Sequence, residues 1–431
     1  MAIRLNASDA TFEAAFRDLL AMKREVSDDV DAIVRDIIED VRARGDEALY
    51  DYTAKFDRYD ARGKGLRITE AEIDAAVAKV EPDVMAALEL AANRIRSHHA
   101  RQMPKNDAYE DSLGVKLGSR WTAIEAVGLY VPGGLAAYPS SVLMNAIPAK
   151  VAGVNRLVMV VPTPDDVLNP LVLAAARLAG VDEVYRIGGA QAVAALAYGT
   201  DSIAPVYKIV GPGNAFVAAA KRRVFGLVGI DMIAGPSEVL ILADKNNDPD
   251  WLAVDLMAQA EHDTAAQAIL ITDSVDMADA AEKAVERLLT TLPKAHIAGA
   301  SWRDYGAVIT VADWEVGMAL ANRIAPEHLE LAMDDAASMV DKVHNAGAIF
   351  VGHFTPEAVG DYVGGSNHVL PTARSARFSS GLSTLDFVKR TSVLECNAMN
   401  LREIGPAAVT LARQEGLEAH ALSVAKRLNM A

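Results

Sequence analysis

The run Leu157-Val158-Met159-Val160-Val161-Pro162 is followed by Pro170-Leu171-Val172-Leu173-Ala174-Ala175-Ala176-Arg177-Leu178-Ala179 and then by Glu183-Val184-Tyr185-Arg186-Ile187. The first and third stretches are short, apolar and rich in β-branched residues. The second opens with proline, is dominated by Ala and Leu, and is long enough for a helix. Strand, helix and strand in succession, with strands apolar throughout rather than alternating, indicate a parallel sheet covered by helices on both faces. The same texture extends outward. Apolar runs at 123–131 and 207–210 flank the unit, and 215–225 reads as helix. A second series at 238–243, 268–272, 307–311 and 348–351 is interleaved with helices near 249–263, 275–290 and 334–345. Two arrays of four strands predict two α/β domains with a cleft between them.

The flanks read differently. Residues 8–105 are helical in pattern. Val26-Ser27-Asp28-Asp29 offers a cap and an acidic first turn before the stripe Val30, Ile33, Ile37, Val41, and a second helix over 81–101 ends in Ser97-His98-His99. After about residue 375 helix returns, at 402–414 and 417–428.

Composition bounds the function. The chain has 431 residues, enough for two to four domains at about 150 residues each. With 51% hydrophobic and 23% charged residues it is an ordinary folding sequence rather than a disordered one. A net charge of −16 argues against nucleic acid and anionic membranes, which reward Lys/Arg stripes. The N-terminus Met1-Ala2-Ile3-Arg4-Leu5-Asn6 lacks the apolar core of a signal peptide, and no apolar run approaches the roughly 20 residues of a membrane span. A cytoplasmic protein is expected. The lone Cys396 excludes an internal disulfide and a multi-thiolate zinc site, so any metal must rest on His, carboxylate or amide groups.

Three glycine-rich turns follow strands: Gly133-Gly134, Gly188-Gly189-Ala190-Gln191 and Gly211-Pro212-Gly213-Asn214. The last opens a helix, where free N–H groups suit a phosphate. Phe216 occupies the third glycine position of G-x-G-x-x-G, so the dinucleotide fingerprint fails and plain turn chemistry competes with it. Of the nine histidines, 98, 99, 296, 344 and 353 read as surface or packing groups. His262 lies in Gln259-Ala260-Glu261-His262-Asp263 at a helix end, where Gln259 and His262 share a face. Pro326-Glu327-His328-Leu329-Glu330 puts a carboxylate beside an imidazole at the mouth of a strand; on opposite strand faces they would act as two separate proton-handling groups. The loop from Gly360 to Thr372 mixes Asp361 and His368 with glycines, and Glu415-Gly416-Leu417-Glu418-Ala419-His420 surrounds a helix start. Each has a bland alternative: a solvated helix end, a polar loop, a surface helix. If Gln259, His262, Asp361 and His420 converge on one Zn²⁺, the site carries net charge +1 and keeps positions open for a substrate.

In order and spacing, these motifs resemble the histidinol dehydrogenase family. The resemblance is carried by Gly128-Leu129-Tyr130-Val131-Pro132-Gly133-Gly134, the turns at 188–192 and 210–214, Ile230-Asp231-Met232-Ile233-Ala234-Gly235-Pro236-Ser237-Glu238, and the segments around His262, Glu327-His328, Asp361 and His420. It implies oxidation of L-histidinol through L-histidinal to L-histidine with two NAD⁺. It also implies zinc held by Gln259, His262, Asp361 and His420, with Glu327 and His328 as the acid/base pair. Substrate contacts would include Ser237, His368 and Glu415 besides His328 and the zinc ligands; NAD⁺ contacts would include Tyr130, Gln191 and Asn214.

The fold implied is α/β, with two incomplete Rossmann-like parallel-sheet domains, a helical N-terminal arm and a helical C-terminal tail, in a domain-swapped homodimer. Residues 1–30, 109–132 and 237–380 would form the first domain, 31–108 the arm, 133–236 the NAD-binding domain and 381–431 the tail reaching the partner. His420 and Glu415 would then serve the other subunit's site. Two alternatives stand beside this: a related zinc- and NAD-dependent dehydrogenase of another small alcohol or diol, such as a sulfonated propanediol, and a catalytically silent metal-binding dimer. A thiol-based aldehyde oxidation finds no support at Cys396, which has no basic neighbour.

Overall fold

The computed structural model describes residues 2–22, 28–133, 138–233 and 235–430. The expected cap at Val26-Ser27, and Gly134 of the first glycine turn, lie outside them. The strands in chain order are β1 (Ile3–Asn6), β2 (Asp107–Glu110), β3 (Lys116–Ala123), β4 (Ala126–Tyr130), β5 (Arg156–Val160), β6 (Glu183–Tyr185) and β7 (Lys208–Val210). They continue with β8 (Gly229–Ile230), β9 (Glu238–Ala243), β10 (Gln267–Thr272), β11 (Ala307–Thr310), β12 (His328–Ala332), β13 (Ala348–Val351) and β14 (Val388–Glu395).

Three sheets result. Six parallel strands run in the order β1-β11-β10-β9-β12-β13, and five parallel strands in the order β6-β5-β4-β7-β8. The strands β14-β3-β2 form a small antiparallel sheet. In the six-stranded sheet, Leu240, Leu242, Leu329 and Leu331 face Phe12, Phe16 and Leu19 of the helix Phe12–Ala21. Val239, Ile241 and Ala243 face the helix Pro249–Ala260. The five-stranded sheet is likewise enclosed: Val158, Val160 and Ile209 on one face, Val127, Leu129 and Met159 on the other. Each such side chain taken from water contributes roughly 1.5–3 kcal/mol, so the central strands are held by what covers them.

Several expectations change. Residues 109–132 do not join the first domain: β2 and β3 lie in the antiparallel sheet, and β4, buried at all five residues, is the middle strand of the five-stranded sheet. Its edges pair with β5 and β7, which leaves its two apolar faces to the helices on either side of the sheet. The segment 31–108 does not stand apart as an arm. Helix Asp28–Arg44 packs Val34, Ile37, Ile38 and Val41 over the helices Gly189–Tyr198 and Ala215–Val224 on one side of the five-stranded sheet, and helix Pro82–Ala100 packs Ala91, Ala92 and Ile95 over Pro139–Val151 and Pro170–Ala179 on the other. Val34 takes the inward position expected of Ile33, which is 47% exposed. The tail from 381 is not wholly helical, because β14 pairs along its length with β3 before helices Ala398–Gln414 and Glu418–Ala425. The helix expected near 334–345 is reduced to Ala336–Met339 and a 3₁₀ turn. Among the described residues no helix is long and apolar enough to cross a membrane.

Candidate active site

The carboxyl edge of the five-stranded sheet faces the amino edge of the six-stranded one. Pro132, just past β4, and the turn 211–214, just past β7, form one wall of a cleft of about 610 Å³; Ser237, Glu327 and His328, at the starts of β9 and β12, form the other. Asp361, Tyr362 and His368 close a third side. A second cavity of about 390 Å³ opens at the same carboxyl edge, shares Pro132, and is lined by Arg58, Thr163 and Asn169 among others.

The glycines in these turns answer first to packing. A Cβ on Gly211, whose φ is +112°, would lie 2.1 Å from the Tyr130 carbonyl oxygen, and one on Gly133 would lie 2.3 Å from that of Pro162. The turn at 211–214 is braced from below: Asp231 accepts the Gly211 N–H at 2.8 Å, and Lys221, ion-paired with Asp231, donates to the Gly211 carbonyl at 3.0 Å. Asn214 caps the helix Ala215–Val224, its Oδ1 accepting from Phe216 and Val217. Tyr130 and Gln191 are buried behind the turns rather than lining either cavity. Tyr130 accepts the Gly189 N–H at 3.0 Å, and Gln191 Oε1 has no hydrogen-bond partner among the described residues.

Glu327 and His328 do not diverge to opposite faces. Glu327 precedes β12, and both reach the cleft. Glu327 Oε2 accepts the Glu238 N–H at 3.0 Å, and His328 Nδ1 donates to the Glu238 carbonyl at 3.1 Å. A carbonyl only accepts, so Nδ1 carries a proton and the neutral ring presents a bare Nε2. That atom is buried, lacks a hydrogen-bond partner among the described residues and lies 3.7 Å from Asp361 Oδ1. Burial opposes the imidazolium of His328, but Glu357, Glu327 and Asp361 outweigh it and raise its pKa well above the ordinary value; a cation held by Asp361 would cancel part of that pull and favour the neutral ring, whose Nε2 can accept a proton. Burial pushes Glu327 up to about 7.

Gln259 and His262 sit at the end of the helix Pro249–Ala260, with the amide nitrogen donating to His262 Nδ1 at 3.3 Å. Gln259 Oε1 is buried and has no hydrogen-bond partner among the described residues. Burial lowers the pKa of His262 and of His368, which favours neutral rings. Burial would raise Asp361, but the His328 contact and the charges of His368, His328 and His262 hold it lowered and ionised. His368 is fixed by Nδ1 donating to the Asp361 carbonyl at 3.1 Å, with Ser141 Oγ 3.3 Å from Nε2. An ionised carboxylate, neutral imidazoles and an unsatisfied amide oxygen are a donor set that suits a divalent cation. Asp361 leans toward His328 and Glu357, with ligand atoms within 4.8 Å of one another.

His420 and Glu415 are not brought to this cleft. Both are exposed on the tail. Cys396 is exposed between β14 and the tail helices and lines neither cavity. Three carboxyls that the motifs did not single out lie beneath the site: buried Glu330 on β12, buried Glu357 at the start of the helix Glu357–Tyr362, and the half-buried Asp255 on the helix Pro249–Ala260. The signal for Glu330 was its place two residues after His328 in an apolar strand, on the same face.

Comparison with known proteins agrees along the whole chain. The histidinol dehydrogenase family model matches residues 20–428. A histidinol dehydrogenase of Rhizobium meliloti (strain 1021) is 69% identical over 430 residues, covering 100% of this chain and 99% of its own. One from Brucella suis biovar 1 (strain 1330) is 66% identical over 430 residues and covers 100% of both. The crystal structure of histidinol dehydrogenase from Elizabethkingia anophelis superposes with a TM-score of 0.95 at 36% identity, covering 99% of this chain and 98% of that one. With these matches covering both parallel sheets and the tail, the chain belongs to the histidinol dehydrogenase family, whose members are NAD-dependent oxidoreductases.

Proposed function

We propose that this enzyme oxidises L-histidinol through L-histidinal to L-histidine, the last steps of histidine biosynthesis, consuming two NAD⁺ and one water per turnover. The observation that carries the reading is the meeting of His328, Glu327, His262, Asp361 and His368 in one cleft opposite the turn at 211–214. The six-stranded unit would bear the acid/base and metal-binding groups. The five-stranded unit would bind NAD⁺ along its carboxyl edge, with Asn214 at the rim and Tyr130 and Gln191 supporting the turns.

Gln259, His262 and Asp361 would hold zinc, with His420 as the fourth ligand; zinc there would supply a fixed positive charge that anchors the imidazole and amine of histidinol. His328 Nε2, its tautomer set by the Glu238 carbonyl, takes the hydroxyl proton as hydride leaves the carbinol carbon for NAD⁺. The aldehyde has no second hydride to give until water adds. Glu327, buried and poised near neutrality, draws a proton from that water, and the gem-diol then loses hydride to the second NAD⁺. Ser237, His368 and Glu415 would complete the contacts to the substrate. Since His420 and Glu415 are exposed in a single chain, the site is completed by the partner of a domain-swapped homodimer. The tail's exposed Leu394, Met399 and Leu411 support that assembly. A cytoplasmic location goes with this role.

The test supplies purified protein with excess NAD⁺ and limiting L-histidinol and counts NADH. Two NADH per histidinol are expected. One per histidinol, or reduction only with another alcohol or diol, would sink the reading.

A further inference from the structure

The helix Glu357–Tyr362 carries Asp361 and Glu357, four residues apart and so on one face, and both point at His328: Glu357 Oε1 lies 3.6 Å from Nδ1 and Asp361 Oδ1 lies 3.7 Å from Nε2. It is a short element with little to hold it. Pro356 at its cap position offers no side-chain acceptor. Gly360 lets it lie on Phe350, whose ring would be 2.4 Å from a Cβ there. Its first N–H, that of Glu357, is satisfied from another element: Glu330 Oε1 on β12 accepts it at 2.7 Å. Glu330 is 3% exposed and shares its strand face with His328. Burial, with the nearby charge of Asp255, also raises the pKa of Glu330 and Glu357; Asp255 stands one helical turn before Gln259. The strand of the general base, the helix of Asp361 and the helix of Gln259 therefore meet at Glu330.

We infer that Glu330 is a positioning residue, a cross-element cap that fixes the helix Glu357–Tyr362 so that Asp361 is held at the metal position. The inference rests on the zinc role proposed for Asp361. It makes no contact with substrate necessary and assigns Glu330 no proton transfer. Glutamine in its place keeps an acceptor oxygen; methionine keeps the volume and removes it.

The experiment compares parent, Glu330→Gln and Glu330→Met as full-length dimers in two measurements. These are hydrogen exchange of the 357–362 amides in metal-free protein, and the Zn²⁺ dissociation constant by competition with a chelating indicator. Glu330→Gln should stay near the parent in both. Glu330→Met should lose protection at 357–362 and bind Zn²⁺ about 10–100-fold more weakly, the range usual for losing a group that orients a ligand. Parental protection at 357–362 in Glu330→Met overturns the inference. If the parent itself fails to bind Zn²⁺, the zinc reading falls and the exchange measurement alone decides the cap. If Glu330→Met does not fold, Glu330→Gln decides: parental behaviour supports the cap, and lost protection there overturns it.

Discussion

At the scale of single residues, the same burial that makes a carboxyl useful at one place makes it a liability at another. Glu327 is pushed up to about 7 by burial, with the Glu238 N–H and His328 pulling the other way, which puts it where a general base is most effective near neutrality. Glu327→Gln should therefore slow the conversion of L-histidinal to L-histidine by about 10²–10⁴-fold while leaving the alcohol-to-aldehyde step within about tenfold. Half-reactions followed separately from each substrate check this, and equal losses in both would remove its water-activating role. Asp57 shows the other side. It is buried at the end of the helix Asp46–Asp57, its Oδ2 has no partner among the described residues, and burial raises its pKa from 3.8 to about 6 against the pull of Arg58. Below about pH 4 it is protonated folded or unfolded and costs nothing. Between about 4 and 6 the unfolded chain ionises first and the fold loses stability; above about 6 the full penalty, on the order of 3 kcal/mol at about 1.4 kcal/mol per pKa unit, is present. Asp57→Asn should match the parent in urea denaturation near pH 4 and exceed it at pH 7 and above. A difference independent of pH would show that ionisation is not its cause.

At the scale of elements, legibility followed local against distant causes. Runs such as 157–161 and 238–243 were readable because both faces of a central parallel strand are apolar, a property written in the run itself. Two edge strands were not: β1 reads Ile-Arg-Leu-Asn, and β14 reads Val-Lys-Arg-Thr-Ser-Val-Leu-Glu with seven of its eight residues exposed, so their pairing depends on β11 and β3 far away in the chain. The run at 123–131 groups with those at 157–161, 183–187 and 207–210, which is the sheet β4 joins; it is the domain bounds implied by the resemblance that set 109–132 elsewhere. The motif residues that meet in the cleft were legible as types, but Glu330, Glu357 and Asp255 each look like an isolated acid until the fold brings them together. The turn after β7 gives the element-scale prediction. Gly211 holds φ at +112° with the Tyr130 carbonyl where a side chain would go. Gly211→Ala should destabilise by about 2–4 kcal/mol, from strain and a displaced strand end, and weaken NAD⁺ at least about tenfold because this turn walls the cleft. Thermal melting and NAD⁺ titration check it, and parental values in both would mean the turn is free to shift.

At the scale of the whole molecule, the tail is the part that one chain does not explain. Beyond the β14–β3 ladder it has only a small core of Val409, Ala421 and Ala425, and it leaves Leu394, Met399, Leu411 and Leu417 in water. The cleft meanwhile has His262 and Asp361, with Gln259 buried against His262, but not His420. Both deficits are met together if the tail of each chain packs on its partner and delivers Glu415 and His420 there, as a twofold dimer requires of both subunits equally. The consequence can be counted. Asp361→Ala and His420→Ala homodimers each lack one ligand in both sites and should be inactive. Mixed in equal amounts and refolded, about half the dimers pair unlike chains. In each of those, one site takes Asp361 from one chain and His420 from the other and is complete, while the second lacks both. About one quarter of parental activity should therefore return, with Zn²⁺ bound in the same proportion. If each site were built within one chain, a mixture would stay inactive however many unlike dimers native mass spectrometry detected, since no chain would hold both residues. Recovery near one quarter would require a residue from each subunit in the same site, which is what the exposed His420 and the three-donor cleft predict.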